Sequence, residues 1–172
     1  MTSPSEASDE PTPSTDLPNG PIMWLQWIEE LQESVQYAPP ATSEDLDQAA
    51  RTLGRPLPDD LVFLLQETNG LSNQGVDIVW SIQRIVRDNI AFRSDTTLLQ
   101  QFMSFDPLLF FGDNGDDDAF AFVQLPQRLD VFFWNRATDG RSWAANSLRS
   151  YVEQALTDSG NWYYDPPGRP VR

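Results

Sequence analysis

The segment spanning residues 107–134 constrains the fold of this chain more than any other stretch. It contains three short apolar runs, at residues 108–111, 119–125 and 131–134, each bounded by Gly, Asn, Asp or Pro. Runs of this kind, rich in Phe and Val, are typical of strands in a meander. Because side chains alternate along a strand, Phe120 and Phe122 are expected on one face and small apolar residues on the other. Both faces of the predicted sheet are apolar enough to be covered by other elements.

A helix is expected near the start of the chain. Apolar residues recur at helical spacing from residue 22 to residue 35, and the two prolines at residues 39–40 are expected to end this helix. Trp24 and Trp27 flank the apolar stripe. We interpret both as packing residues, with a role in ligand stacking as the alternative.

Two further helices are expected between this point and residue 70. The second helix begins at Thr42, which can form a capping box with Asp45, and ends at Gly54. The third begins at Pro58 and is stopped at Gly70, where glycine supplies a left-handed backbone. Its expected buried side consists of Leu61, Phe63, Leu64 and Leu65.

The remaining elements follow in order along the chain. Residues 75–80 predict a strand, residues 82–92 a helix, and residues 96–105 are compatible with either a helix or a loop. Residues 138–140 predict a turn, and residues 146–156 a last helix. The apolar residues of the helix at 82–92 are Ile82, Ile85, Val86 and Ile90.

The domain organisation is read from composition. Residues 1–20 are rich in Pro, Ser, Thr and Asp, which predicts a disordered acidic tail. Residues 21–158 are expected to form one α+β domain, in which an antiparallel sheet packs against N-terminal helices and a C-terminal helix. Residues 159–172 form a C-terminal tail that is expected to be partly ordered.

The chain is strongly acidic. Its 26 Asp and Glu residues face 11 basic residues, all of them arginine, for a net charge of −15. Such a field repels nucleic acid and anionic membranes and speeds encounter with a basic partner. Solubility alone is the alternative explanation. The sequence also has no secretory signal of the usual kind and no apolar run of membrane-spanning length, so we expect a cytoplasmic protein.

The absence of certain residue types excludes most catalytic chemistry. The chain contains no Cys, His or Lys, so it cannot build a Ser-His or Cys-His nucleophile, a Schiff base or a His/Cys zinc site. An enzyme would have to be a carboxylate hydrolase, with acids from the 113–118 segment and Asp130, or a metal-carboxylate site. We expect no catalytic residue, no cofactor and no resident metal.

Four aspartates lie close together between the first two predicted strands: Asp113, Asp116, Asp117 and Asp118. Clustered carboxylates could bind a basic protein partner. Alternatively, residues 113–115 are simply a turn that requires positive φ, and the other acids are solvated. A calcium loop is a third interpretation, but Gln124 stands where such a loop needs its bidentate acid.

Several short motifs occur in order along the chain: Leu53-Gly54, Leu57-Pro58-Asp59-Asp60, Thr68-Asn69-Gly70, Phe110-Phe111-Gly112-Asp113-Asn114-Gly115 and Val131-Phe132-Phe133-Trp134. Taken together, these motifs resemble the SMI1/KNR4 superfamily, also called SUKH. The resemblance spans roughly residues 24–156, and the loop of the family usually continues with more glycine where this chain has Asp116-Asp117. Eight residues of the motifs are expected to be structural: Gly54, Leu57, Pro58, Asn69, Gly70, Gly112, Gly115 and Trp134.

The resemblance implies an α+β fold and a binding role without catalysis. Bacterial members are immunity proteins, cytoplasmic antidotes that bind and block a polymorphic toxin, often a nuclease. Fungal members are regulators of cell-wall synthesis and signalling. We therefore predict an antitoxin with a basic protein partner, with a regulatory or scaffold protein as the alternative; the oligomeric state is left open.

Overall fold

The computed structural model describes residues 23–158 and 160–170. The expected tail at residues 1–20 and the start of the first predicted helix lie outside the described residues. The helices are α1 (Trp24–Leu31), α2 (Ser43–Leu53), α3 (Asp59–Glu67), α4 (Ile82–Ser94), α5 (Thr96–Gln101) and α6 (Leu148–Thr157), followed by a 3₁₀ helix at Trp162–Tyr164. The strands are β1 (Gln36–Tyr37), β2 (Leu71–Asn73), β3 (Val76–Val79), β4 (Leu108–Asp113), β5 (Ala119–Gln124), β6 (Gln127–Asn135) and β7 (Gly140–Ala145).

The strands form two antiparallel sheets, one of β1-β2-β3 and one of β4-β5-β6-β7. The second sheet contains the predicted meander and confirms the α+β fold. On one face, Phe110 and Trp134 pack with Phe92 of α4. On the other face, the Phe120 ring contacts Tyr151 of α6, and Phe122 stacks on Phe111, which also contacts Tyr151. Both faces are therefore covered, as the apolar runs predict.

The two sheets meet where β3 lies beside β4. The backbone N–H of Trp80 donates to the carbonyl of Phe111 at 2.7 Å, and the Tyr151 hydroxyl of α6 donates to the carbonyl of Ile78 at 2.8 Å. Gly112 lies at the point of contact, where an added Cβ would be 2.0 Å from the Ile78 carbonyl oxygen. The absence of a side chain at Gly112 is therefore what allows β3 and α6 to approach β4.

The predicted caps of α2 are present in the structure. The Thr42 side chain accepts from the Asp45 N–H at 3.1 Å, and the Asp45 carboxylate accepts from the Thr42 N–H at 3.2 Å, which completes a capping box. The pKa of the Asp45 carboxyl is lowered by a hydrogen bond from the Thr42 hydroxyl, at 2.7 Å, and by the hydrogen bond from the Thr42 N–H. Gly54 ends the helix with φ of 73°.

Three details of the helix predictions are wrong. Helix α1 ends at Leu31, well before the prolines at 39–40, because the following residues form β1 and pair with β2. Phe63 is 53% exposed, since it lies two residues after Leu61 and faces away from the stripe of Leu61, Leu64 and Leu65. Ile90 is 43% exposed, and the neighbouring Asn89 is buried in its place.

Asn89 is buried because its amide completes the hydrogen bonds of β4. Its Nδ2 donates to the carbonyls of Ile85 and Phe110, each at 2.8 Å, and its Oδ1 accepts from the Phe110 N–H at 2.9 Å. The register of β4 against β5 shifts between Phe110 and Gly112. The Asn89 side chain therefore supplies hydrogen bonds to the backbone of Phe110, where the pairing of β4 with β5 is irregular.

The segment after α6 returns over the second sheet. Trp162 and Tyr163 are each 8% exposed. The Trp162 ring lies parallel to that of Phe120, with 5.7 Å between centroids, and the Tyr163 ring lies 4.5 Å from that of Phe133. These contacts place the C-terminal segment directly beside the loop between β4 and β5. Within the described residues, no helix has the length and apolar character needed to cross a membrane.

Candidate functional site

The loop between β4 and β5, which we call the acidic loop, comprises residues 113–118. Its turn is built by side chains that bind the loop's own backbone: the Asp113 Oδ1 accepts from the Gly115 N–H at 2.8 Å, and the Asn114 Oδ1 accepts from the Asp116 N–H at 3.0 Å. Gly115 adopts φ of 83°, and an added Cβ there would be 2.9 Å from Val76. The predicted positive-φ turn is therefore present.

Asp113 anchors the acidic loop to the rest of the domain. Its side chain is 12% exposed, and its Oδ2 accepts from the Trp80 indole N–H at 2.7 Å and from the Arg84 guanidinium at 2.8 Å. Charge-assisted hydrogen bonds of this kind are strong in partly buried positions. Asp113 is thus engaged by the scaffold and does not project toward solvent.

Arg84 is the centre of a larger ion-pair cluster. Its guanidinium also binds Asp77 at 2.5 Å and Asp88 at 3.1 Å, and it lies 4.2 Å from the centre of the Trp80 ring. Burial opposes ionisation of Asp88, but hydrogen bonds from Arg87 and Arg84 outweigh this effect and lower the pKa of the Asp88 carboxyl. The cluster joins α4, β3 and the acidic loop through one cation.

Asp118 ties the other end of the acidic loop to the turn between β6 and β7. Its Oδ1 accepts from the Arg136 N–H at 2.9 Å, and its Oδ2 accepts from the amides of Asn135 at 3.4 Å and Asn114 at 3.5 Å. The residue is half-buried. Both ends of the acidic loop are therefore fixed by carboxylates that bind within the chain.

Asp116 and Asp117 are the two aspartates that face solvent. The Asp117 side chain is 85% exposed, and its contact with the Arg136 guanidinium is long, at 3.7 Å. The Asp116 carboxylate accepts no hydrogen bond from the described residues. Of the four predicted site residues, Asp113 and Asp118 thus hold the acidic loop in place, whereas Asp116 and Asp117 are exposed to solvent.

A groove of about 410 Å³ lies next to the acidic loop, and we call it the C-terminal groove. Buried aromatic residues line its floor: Phe120, Tyr151, Trp162 and Tyr163. Polar residues surround its opening: Asp113, Asn114, Asp116, Thr157, Asp158 and Asn161. The groove therefore combines buried aromatic rings with a larger number of polar side chains.

Tyr163 connects the groove with the acidic loop. Its hydroxyl accepts from the Asn114 amide at 3.1 Å and donates to the Asn161 side-chain carbonyl at 2.9 Å. Burial raises the pKa of the Tyr163 hydroxyl, and the charges of Asp118 and Asp116 act in the same direction, although the hydrogen bond from Asn114 opposes them. Tyr163 stays a neutral hydrogen-bonding group at physiological pH.

The described residues do not form the metal-carboxylate arrangement that was considered from the sequence. No group of three or more carboxylates there is placed to hold a metal ion. The Asp130 carboxylate forms an ion pair with Arg128, two residues away.

The residues of the family motifs lie in the scaffold. Leu57 is buried, Pro58 immediately precedes α3, and Gly70 adopts φ of 119° against the backbone of Ser81. The Asn69 side-chain oxygen accepts from the Ile82 N–H at 2.7 Å, at the start of α4. These positions shape the domain and do not contact the groove.

The sequence interpretation missed two parts of the site. One is the Trp80–Arg84 pair, whose spacing of four residues could not reveal that both bind Asp113. The other is the C-terminal segment, which lines a large part of the groove. Its three consecutive aromatic residues, Trp162, Tyr163 and Tyr164, are the sequence signal that this segment packs against the sheet.

A model of the SMI1 / KNR4 family (SUKH-1) matches residues 40–154, which is more than half of the chain. A comparison with curated proteins gave no match. The matched residues include α2 to β7, the acidic loop and most of α6. The part of the C-terminal groove built by residues 155–158 and 160–163 lies beyond the matched segment.

Proposed function

The chain belongs to the SMI1/KNR4 (SUKH-1) family, and from this premise we propose that it is a non-catalytic immunity protein. It binds a basic toxin in the cytoplasm and blocks the toxin's active surface. Family membership supports a protein-binding module of this type. The identity of the partner as a toxin, and its positive charge, are the parts of the proposal that an experiment must test.

One observation carries the proposal: the fold holds Asp116 and Asp117 exposed on a loop of fixed shape. Asp113 and Asp118 fix the ends of the loop, and Asn114 and Gly115 fix its turn. A loop that is already ordered loses little conformational freedom on binding, so more of the interaction energy appears as affinity. Carboxylates presented in this way complement a surface that grips phosphate.

Charge over the whole chain supports the same partner class. With a net charge of −15, the protein attracts a basic protein at long range and raises the rate of encounter. An inhibitor of a nuclease gains twice from this arrangement, because the surface that it must cover is the positively charged one. Nucleic acid and anionic membranes are repelled by the same field.

The absence of catalysis is supported by residue chemistry. The sequence lacks His, Cys and Lys, and the carboxylates nearest the groove either bind within the chain or face solvent. A general acid works best when it is withdrawn from water, which raises its pKa. Exposed Asp116 and Asp117 are better suited to electrostatic contact than to proton transfer.

Co-expression tests the proposal. The product of the gene adjacent to this protein's own gene is expressed in a bacterial host with and without the protein, and growth is measured. We expect growth arrest by the neighbouring gene product alone and rescue by the protein. A neighbouring product that is harmless to the host contradicts the immunity role and favours a regulatory or scaffold role.

Charge reversal then tests the interface. Asp116→Lys together with Asp117→Lys should lower the affinity for the toxin at least tenfold and weaken its salt dependence, because close interfacial charge pairs contribute on the order of 1.5 kcal/mol or more. Isothermal titration calorimetry at two salt concentrations measures both effects. Glu30→Lys with Asp47→Lys is the matched control: both residues are exposed on helices, and the change in net charge is the same. Equal loss of affinity in the control pair argues for general attraction and against this interface.

A further inference from the structure

Among the described residues, the C-terminal groove is lined by acidic residues and by no basic residue. Three aspartates line it, Asp113, Asp116 and Asp158, and no arginine does. Asp113 is already paired with Arg84 on its far side. Asp116 and Asp158 are exposed at the opening, and neither forms a salt bridge with another described residue. The opening of the groove therefore carries uncompensated negative charge.

The walls add hydrogen-bond acceptors and an apolar floor to this charge. Side-chain amides of Gln32, Asn73 and Asn161 lie along the opening, and Phe120 and Trp162 lie below. A ligand that combines a positive charge, several hydrogen-bond donors and an apolar stem would match the aspartates, the amide oxygens and the aromatic floor of the groove. Among protein side chains, arginine has this combination: a planar guanidinium with five donors, weak hydration, and methylene groups that pack on apolar surface.

We propose that the C-terminal groove receives an arginine side chain of the partner protein. This inference rests on the proposed function, because it gives the basic partner a specific point of attachment. The guanidinium donates to carboxylates that line the groove, with Asp116 and Asp158 as its acceptors. Its methylene groups cover the aromatic floor. Arginine is favoured over lysine because a compact, strongly hydrated ammonium makes poorer use of paired carboxylates and a flat aromatic floor.

The position of the groove makes it a specificity determinant. Its wall at residues 155–158 and 160–163 lies beyond the segment that matches the family model, whereas Asp113 and Asp116 lie within that segment. The groove thus joins the shared scaffold to a part of the chain that the family model does not describe. An arginine seated there is a central anchor of the kind that dominates binding energy in protein interfaces.

The test uses a small probe of the same chemistry. N-acetyl-arginine amide is titrated into the full chain, and two-dimensional NMR follows the indole N–H of Trp162 and the side-chain amide of Asn114. We expect saturable shifts of these signals with a dissociation constant on the order of 1 mM. N-acetyl-citrulline amide, which has the same shape without the charge, should cause no such shifts. Equal shifts with citrulline, or arginine-induced shifts spread evenly over the acidic surface, overturn the proposal.

Two variants locate the binding. Asp116→Asn with Asp158→Asn should weaken binding of the arginine probe about tenfold, as expected for the loss of two partly screened charge interactions. Glu30→Gln with Asp47→Asn removes two negative charges elsewhere and should leave the affinity unchanged. Thermal unfolding of each variant checks that the substitutions leave the fold intact. Weakening of the same size in both pairs overturns the groove as the site.

The cognate partner separates this inference from the proposed function. If Asp158→Asn lowers the affinity for the partner by at least threefold, the groove is part of the interface. If Asp158→Asn has no effect while charge reversal at Asp116 and Asp117 abolishes binding, the groove proposal fails and the proposed function stands. If the protein binds no toxin and the arginine probe still occupies the groove, the immunity role fails and the site remains.

Discussion

Gly112 carries a structural requirement that no other residue could meet at its position. Its backbone faces the carbonyl of Ile78 in the neighbouring sheet, and the Tyr151 hydroxyl donates to the same carbonyl. An added Cβ would lie 2.0 Å from the Ile78 oxygen and 2.9 Å from the Tyr151 hydroxyl. Both neighbours are held by other contacts, so neither can move without disturbing β3 or α6.

Gly112→Ala should therefore destabilise the domain by about 3 kcal/mol, the upper part of the usual range for overpacking in a close-packed interior. Urea denaturation measures the change in the free energy of unfolding. Gly140→Ala is the matched control, because the nearest atom to its added Cβ is the Thr138 hydroxyl oxygen, on a surface side chain. A cost at Gly112 as small as the cost at Gly140 would show that β3 does not lie as close to β4 as described.

At the scale of secondary structure, the turn between β6 and β7 is held by Asp139. Its carboxylate accepts from the Met103 N–H and the Trp134 indole N–H, both at 2.8 Å, and pairs with Arg141 at 3.1 Å. Arg141 in turn donates to the carbonyls of Met103 and Ser104. One turn thus fastens the segment between α5 and β4 onto the sheet.

The stability of this connection should depend on pH. Burial opposes ionisation of Asp139, but the hydrogen bonds from Met103 and Trp134 and the charge of Arg141 outweigh it, and the pKa of the carboxyl is lowered from 3.8. Because the pKa is lower in the folded state than in the unfolded state, the carboxylate stabilises the fold above pH 3.8 and loses that effect as the pH falls through the folded-state value.

Asp139→Asn should lower the free energy of unfolding by about 2 kcal/mol at pH 7, the usual worth of a hydrogen-bonded charged group. The difference between wild type and variant should shrink as the pH is lowered below 3.8. Urea denaturation at a series of pH values checks both statements. Asp47→Asn, at an exposed carboxylate that accepts no hydrogen bond from the described residues, serves as the comparison. A difference at Asp139 that stays constant down to pH 2 would contradict the assignment.

Elements with strong local signals were predictable from sequence. The capping box of α2 and the aromatic runs of β4 and β5 identify these elements closely, whereas the run at 131–134 identifies only the second half of β6. Strands β1, β2 and β7 were missed because their residues have little preference for strands, and pairing with a neighbour determines them. In α4, Asn89 is buried where the apolar pattern predicted Ile90. The Asn89 amide forms hydrogen bonds with the backbone carbonyl and N–H of Phe110, and these bonds outweigh the apolar pattern.

The site was predictable only in part. The sequence placed four aspartates on one loop, and the positive-φ turn at Gly115 followed from residue chemistry. The sequence did not reveal that Asp113 and Asp118 bind within the chain. The Asp113 carboxylate binds Arg84, which is 29 residues away along the chain. The Asp118 carboxylate binds the backbone N–H of Arg136, and a backbone group leaves no mark in a sequence pattern. Local patterns predict turns, whereas exposure of a side chain depends on tertiary contacts.

At the scale of the whole molecule, the charge distribution favours recognition at some expense of stability. The net charge of −15 generates repulsion between carboxylates throughout the folded chain. Ion pairs such as Arg84 with Asp113 offset this repulsion only locally. The chain therefore maintains a strongly acidic surface in its folded state.

Added salt should stabilise the protein by screening this repulsion. Raising NaCl from about 10 mM to about 150 mM shortens the screening length from roughly 30 Å to roughly 8 Å. We expect the melting temperature to rise by roughly 2–4 °C, which corresponds to about 1 kcal/mol for a chain of this size. Choline chloride at the same concentrations should have the same effect if screening is responsible. A fall in melting temperature would mean that attractive ion pairs outweigh the repulsion.

The aromatic segment at residues 160–164 has a consequence for how such proteins could diversify. It lies against the sheet through ring contacts such as Trp162 with Phe120, and it forms a wall of the groove without belonging to the matched scaffold. A change in a few terminal residues could therefore alter which partner is accepted while the helices and strands beneath keep their packing. A variable terminal wall on a constant scaffold would let one architecture accommodate different binding partners.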